Sequence, residues 1–292
     1  MKLNHSTRAI LFVGVAPVGA GFANAFLLAT PLVTSLTVGI APSSAATIAG
    51  STAQVTINNF SHRPTDTGTS TNTNTATIAN SGSVISQANA EAVFISNCHE
   101  LLAANLSTSQ VTGSGSKYAG LAESQATVIG EFDIDAKETF SFNFQTVLNL
   151  LTSVDNSQSE RARSSGNIFF GLINTVSNIL LDSFQLVGIL DSSGGSYFNL
   201  SASNSFHPTA INFNFLAEGS AAKSVFYSSG VYSRTFDSAT NLRLVEVKNN
   251  IAEAEAEPVP EPTTILGTAI FLGLFARTRK LKNKLSEVKS KV

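Results

Sequence analysis

Thr139-Phe140-Ser141-Phe142-Asn143-Phe144-Gln145 alternates polar and apolar residues without a break. A period of two puts the three phenylalanines on one face of an extended chain and the polar residues on the other. That is the pattern of an antiparallel strand with one dry face. Working outward, the same alternation returns in Ile211-Asn212-Phe213-Asn214-Phe215, in Glu131-Phe132-Asp133-Ile134-Asp135 and in Leu242-Arg243-Leu244, with Val128 extending it. Turn-forming residues separate these runs: Asp135-Ala136-Lys137, Asp155-Asn156, Asp191-Ser192-Ser193-Gly194-Gly195 and Glu218-Gly219-Ser220. Gly, Asn and Asp supply the tight or positive-φ conformations that such turns need. About ten strands at this spacing predict an all-β protein, an antiparallel β-sandwich of which a jelly roll is one form. Residues 167–190 are ambiguous: Phe169, Phe170, Leu172 and Ile173 read as a buried strand, to which Thr175–Leu181 would add a helical turn.

The body with this pattern reads as residues 84–248, with a start as early as 53, behind a Ser/Thr/Asn-rich segment at 47–83. Within that segment every odd position from Thr65 to Thr77 is threonine. On an extended chain those hydroxyls share a face. The run reads as a glycan-bearing stalk, a hydrogen-bonding ladder, a water-ordering surface, or simply a flexible low-complexity segment. Between Thr47 and Pro262 there are 9 Lys and Arg against 19 Asp and Glu, an acidic balance that argues against nucleic acid as a partner. Cys98 is the only cysteine, so an intrachain disulfide is impossible, and it is expected to be buried as a small apolar residue.

The two ends differ from the body. Lys2 and Arg8 precede an apolar run from Ala9 to Leu36, and Ser44-Ala45-Ala46 places small residues where a signal peptidase cuts. Residues 1–46 therefore read as a signal peptide cleaved after Ala46, read by the secretion translocon. Residues 249–262 read as an acidic, Pro-containing linker, with Ile251–Glu257 solvated. Pro260-Glu261-Pro262 follows, then an apolar stretch from Thr263 to Ala276, then Arg277-Thr278-Arg279-Lys280. As a helix that stretch is about 21 Å long, short of a hydrocarbon core of roughly 30 Å, which suits a transient handle better than a permanent transmembrane helix. The basic cluster would hold its end in the cytoplasm, and the prolines keep the preceding chain extended, as proteases bind it.

Residues 260–280 resemble the PEP-CTERM sorting signal, in which a Pro-Glu-Pro motif, a short apolar helix and a basic stop occur in that order. The resemblance implies recognition and removal by exosortase, with Pro260, Glu261, Pro262, Arg277, Arg279 and Lys280 as the sorting residues. It also implies passage through the inner membrane to the cell surface or extracellular matrix, often alongside exopolysaccharide. The region from Ala119 to Phe144, with Thr152–Asn156 and Leu242–Lys248, is similar to the bodies of uncharacterised cyanobacterial members, and this likeness brings no activity. The chain departs from the pattern in running on to Val292, and residues 281–292 read as a basic cytoplasmic extension.

No motif of the body points to chemistry. His62, His99 and His207 form no HExxH or i, i+4 pair, and there is neither a GxSxG elbow nor a Walker loop. Asp133, Asp135 and Glu138 offer oxygen ligands to calcium, but they also fit a solvated strand face. Cys98 and His99, neighbours on an extended chain, would point apart. With no Trp and only Tyr118, Tyr197, Tyr227 and Tyr232, broad sugar-stacking platforms are scarce. No catalytic residue, cofactor or metal ligand is assigned. The expectation is a non-enzymatic surface or matrix protein, structural or adhesive. The alternatives are a polysaccharide-binding module, with or without calcium, and, weaker, a secreted hydrolase with a dispersed site.

Overall fold

The computed structural model describes residues 46–257, and the signal-peptide, sorting-signal and basic-extension readings lie outside them apart from Ala46. The described chain is all antiparallel β: β1 (Thr47–Asn58), β2 (Asp66–Ser96), β3 (Leu101–Ile134), β4 (Thr139–Ser153), β5 (Glu160–Asn174), β6 (Ile179–Asp191), β7 (Tyr197–Ala202), β8 (Phe206–Glu218), β9 (Ala221–Thr235) and β10 (Thr240–Ala256). All ten belong to one sheet, in the order β7-β6-β5-β10-β3-β1-β4-β9-β8, with β2 beside β3.

This sheet folds into a sandwich because β2 and β3 turn back on themselves as a pair. Residues 101–113 of β3 pair with β1, and residues 118–134 pair with β10, while β2 follows β3 along both arms. At the bend Gly82 and Gly115 take φ of 146° and 107°, which a side chain would resist. The register of β2 on β3 slips there too. Past the bend the two arms of β3 lie face to face, so that Ser109 Oγ and Ser124 Oγ are 2.9 Å apart. One leaf is thus 84–96 of β2, 101–113 of β3, β1, β4, β9 and β8. The other is 66–79 of β2, 118–134 of β3, β10, β5, β6 and β7. At the open side the Phe198 and Phe213 rings, from β7 and β8, come within 4.7 Å, and the sheet nearly closes as a barrel.

The quoted stretch lies in β4, where Phe140, Phe142 and Phe144 are all buried and Ser141, Asn143 and Gln145 face outward. Phe144 meets Phe170 and Phe184 of the opposite leaf at 5.7 and 5.2 Å, and Phe206 at 5.7 Å. Aromatic pairs at such separations add stability beyond the area they bury. This phenylalanine-rich cluster fills one end of the sandwich, and a smaller cluster of Ala49, Val111, Ala122, Val154, Ala162, Ala252 and Ala254 fills the other.

Two expectations change, those for residues 47–83 and 249–256, and two open readings, the threonine run and residues 167–190, resolve as strand. Residues 47–83 are not a segment apart, since β1 lies in mid-leaf between β3 and β4 and the sandwich begins at Thr47. The threonine run is strand β2, exposed at the edge of its leaf, where one face carries Thr67 to Thr77 and the other carries Asn72 and Asn74. Residues 249–256 are not a linker: they finish β10, with Ala252, Ala254 and Ala256 buried and the glutamates between them facing out. The ambiguous 167–190 stretch is strand on both sides of a turn, with Asn178 at φ 54°.

Candidate functional site

Strand direction gives the sandwich two distinct ends. Ala46, ahead of β1, and Glu257, after β10, leave from the same one. Ala46 N donates to Asp155 Oδ2 at 2.6 Å, and Glu257 N donates to Ser159 O at 2.9 Å, on a single loop. The β3 bend lies there as well, with Tyr118 pairing with Ala256 and donating to Thr47 Oγ1. We call this the terminal pole. Ala46, the expected cleavage residue, directly precedes Thr47, which is fully buried at the start of β1. A protease cutting between them needs β1 undocked. Pro260, Glu261, Pro262, Arg277, Arg279 and Lys280 lie outside the described residues.

The far pole carries most of the other residues that drew attention in the sequence; it joins His62 to Glu138 and leaves the rest dispersed. His62 Nε2 meets Glu138 Oε2 at 2.9 Å, and this hydrogen bond holds the Glu138 carboxyl below its ordinary range. Arg63 donates to the carbonyls of Asn97 and Cys98. Cys98 is exposed, contrary to expectation, because it sits in the tight β2–β3 turn rather than on a strand with a dry face. Asp133 is bonded by Asn241 Nδ2 at 2.6 Å. Among the described residues no three of His, Cys, Asp and Glu converge to hold a metal ion. His207 is exposed on β8, and Tyr118 and Tyr232 are core residues. Tyr232 and Arg234 instead bond the carboxylate of buried Asp182, at 3.0 and 2.7 Å, with Ser203 Oγ at 2.9 Å. Burial alone would raise Asp182, but these donors outweigh it and hold the carboxyl below its usual value.

On the outer face near the terminal pole is a cleft of about 430 Å³ with Arg161, Arg163, Asp191, Glu253 and Glu255 in its walls. Arg163 and Glu253 stand 3.7 Å apart across it. Ala76, Ile78, Ala119, Leu121 and Ala162 line much of the rest.

The least ordinary chemistry is inside. Between the aromatic and alanine clusters runs a polar layer of Ser51, Asn105, Ser107, Ser109, Ser124, Glu246, Lys248 and Asn250, each 3% exposed or less. Asn250 is fully engaged: Ser51 Oγ donates to its Oδ1 at 3.0 Å, and its Nδ2 donates to Ser107 O and Oγ at 2.8 and 2.7 Å. Asn105, from the opposite leaf, stands between two ionisable groups of β10. Lys248 Nζ donates to its Oδ1 and to its backbone carbonyl, and its Nδ2 donates to Glu246 Oε2. Glu246 Oε1 is buried without a hydrogen-bond partner among the described residues. Burial raises Glu246 to about 7 against the opposing pull of Lys248 and Asn105. Burial lowers Lys248 to about 7 against the pull of Glu246. The sequence did hold a signal for this layer. Leu242 and Leu244 face inward, and the same period carried on puts Glu246, Lys248 and Asn250 inside.

Geometry and sequence together define a two-leaved antiparallel β-sandwich with Ala46 and Glu257 at one pole and a buried Asn–Glu–Lys group. Comparison with known proteins finds no matching family model, no matching curated protein and no matching solved structure.

Proposed function

We propose that this is an exported cell-surface or extracellular-matrix protein, structural or adhesive, sorted through the PEP-CTERM-like tag at 260–280 and cut by exosortase. The observation that carries the reading is the shared exit of Ala46 and Glu257 at the terminal pole. Because Ala46 and Glu257 leave on one side, the body hangs from the same pole whichever flanking segment tethers it, the N-terminal one before its removal or the C-terminal one after. A sandwich hung from that pole presents its far pole and both long faces outward. Among the described residues no helix is long and apolar enough to cross a membrane, so on this reading attachment falls to the flanking segments. Extended exposed strands rich in Thr, Ser and Asn, such as β2, suit contact with hydrated matrix polymers.

The test is sorting in a host that has the protease. Glu261→Ala, or neutralising Arg277, Arg279 and Lys280, should leave an uncut precursor in the inner membrane while the parent chain reaches the surface. Normal processing and release of both variants would overturn the assignment.

A further inference from the structure

We infer that Asn105 and Lys248 join covalently after folding, through an amide between Lys248 Nζ and Asn105 Cγ that Glu246 promotes. The inference does not depend on the export reading. It rests on three side chains from two leaves that touch one another in a sealed interior. Glu246 and Lys248 lie two apart on β10 and share its inward face. Asn105, 143 positions from Lys248 in sequence, places its carboxamide between them, oxygen toward the amine and nitrogen toward the acid. All three are 2% exposed or less.

Amides ordinarily resist amines because at neutral pH the amine is protonated and the amide nitrogen is a poor leaving group. Burial removes both obstacles. A desolvated ammonium gives up its proton and a desolvated carboxylate takes one, so near neutrality a nucleophilic amine faces the carboxamide with an acid on its far side. The Nζ lone pair bonds to Asn105 Cγ, and Glu246 passes its proton to Nδ2. As the tetrahedral carbon collapses, the Cγ–Nδ2 bond breaks and ammonia leaves. The surplus proton on Nζ returns to the Glu246 carboxylate, which ends protonated. Nothing is oxidised or reduced, and one NH₃ is lost. Proximity in a fixed geometry makes the step effectively unimolecular. The product exchanges a buried amine for a neutral secondary amide, and leaves Glu246 a protonated donor beside it. That removes a buried amine whose protonation would place a charge in the interior.

Alternatively, the group is an ordinary buried polar cluster. Asn250 provides the contrast, since it is fully satisfied by neutral Ser51 and Ser107 and needs no ionisable neighbour.

Tryptic mapping by mass spectrometry of the purified full chain, after folding, separates the two. The linked protein resists cleavage after Lys248. The peptide ending at Lys117 appears joined to the one beginning at Leu244, with a mass about 17 Da below their sum, one ammonia. Glu246→Gln keeps the shape and loses the acid, and should form the link about 100-fold more slowly while keeping the β circular-dichroism signature. A folded parent protein that yields the free peptide Leu244–Lys248 overturns the inference. Linkage at the parent rate in Glu246→Gln overturns the role of Glu246. Should that variant fail to fold, the map of the parent protein still decides whether the link exists.

Discussion

The two ends of the sandwich interior are built on opposite logic. Toward the far pole, Phe132, Phe140, Phe142, Phe144, Phe170, Phe184, Phe206 and Tyr232 form a continuous aromatic core. Each buried ring contributes about 1.5–3 kcal/mol by leaving water. Toward the terminal pole the inward positions shrink to alanine and serine, and the leaves are held by hydrogen bonds and by Asn105, Glu246 and Lys248. Small side chains bury little area, so this half cannot rely on hydrophobic burial alone. It is also the half from which Ala46 and Glu257 lead out of the sandwich. The lesson is that the exits of Ala46 and Glu257 share an end with the polar layer, and there specific bonds do what ring packing does elsewhere.

The contrast predicts different responses to substitution. The largest effect is expected at Lys248→Met, which keeps length and loses the nucleophile. Without a covalent tie between β3 and β10, stability should fall by about 5 kcal/mol on the loop-closure estimate, read as a lower denaturant midpoint. Next is Phe144→Ala, which leaves a cavity among three rings and should cost about 3–5 kcal/mol, checked by thermal unfolding. In Asp182→Asn the carboxylate bonded by Arg234, Tyr232 and Ser203 is lost, at a cost of about 2–3 kcal/mol. Because the folded Asp182 is held below its ordinary value, its contribution is present at neutral pH and lost as pH falls through the folded value, so the gap between parent and variant should close in acid. The smallest effect is expected at Ser109→Ala, about 1–2 kcal/mol by chemical denaturation, since it leaves the Ser124 hydroxyl and the Asn250 carbonyl short of a buried neutral partner.

A rate measurement sharpens the contrast further. The link needs Glu246 protonated and Lys248 neutral, and each group's charged neighbour is the other. Below about 7 the amine is protonated, and above about 7 the acid is ionised, so the rate of linkage in refolding protein should peak near pH 7. A rate that keeps climbing into alkali would mean that the acid takes no part.

The aromatic half was legible in the sequence because its inward residues are large and its outward ones polar, so period two stands out in β4 and at the start of β10. The terminal half was not. Ile251-Ala252-Glu253-Ala254-Glu255-Ala256 alternates as strictly as the phenylalanines, yet alanine carries too weak an apolar signal to separate a buried face from a solvated linker. In β3 the inward residues Asn105, Ser107 and Ser109 are polar, which hides the strand's dry face. Threonines 67–77 pointed to a shared face, but only pairing with residues 120–130 of β3 places them on a strand edge. Cys98 was expected inside because a lone thiol in an oxidising compartment is safer buried, and a four-residue turn put it outside. The sequence pattern also contained no hint that 105 and 248 would meet, because that contact depends on the β3 bend bringing the leaves face to face.

The most direct test of the export account is the intact mass of the protein recovered from the cell surface. A form beginning at Thr47 and ending upstream of Arg277 is predicted. A surface form that still carries Val292 would contradict it.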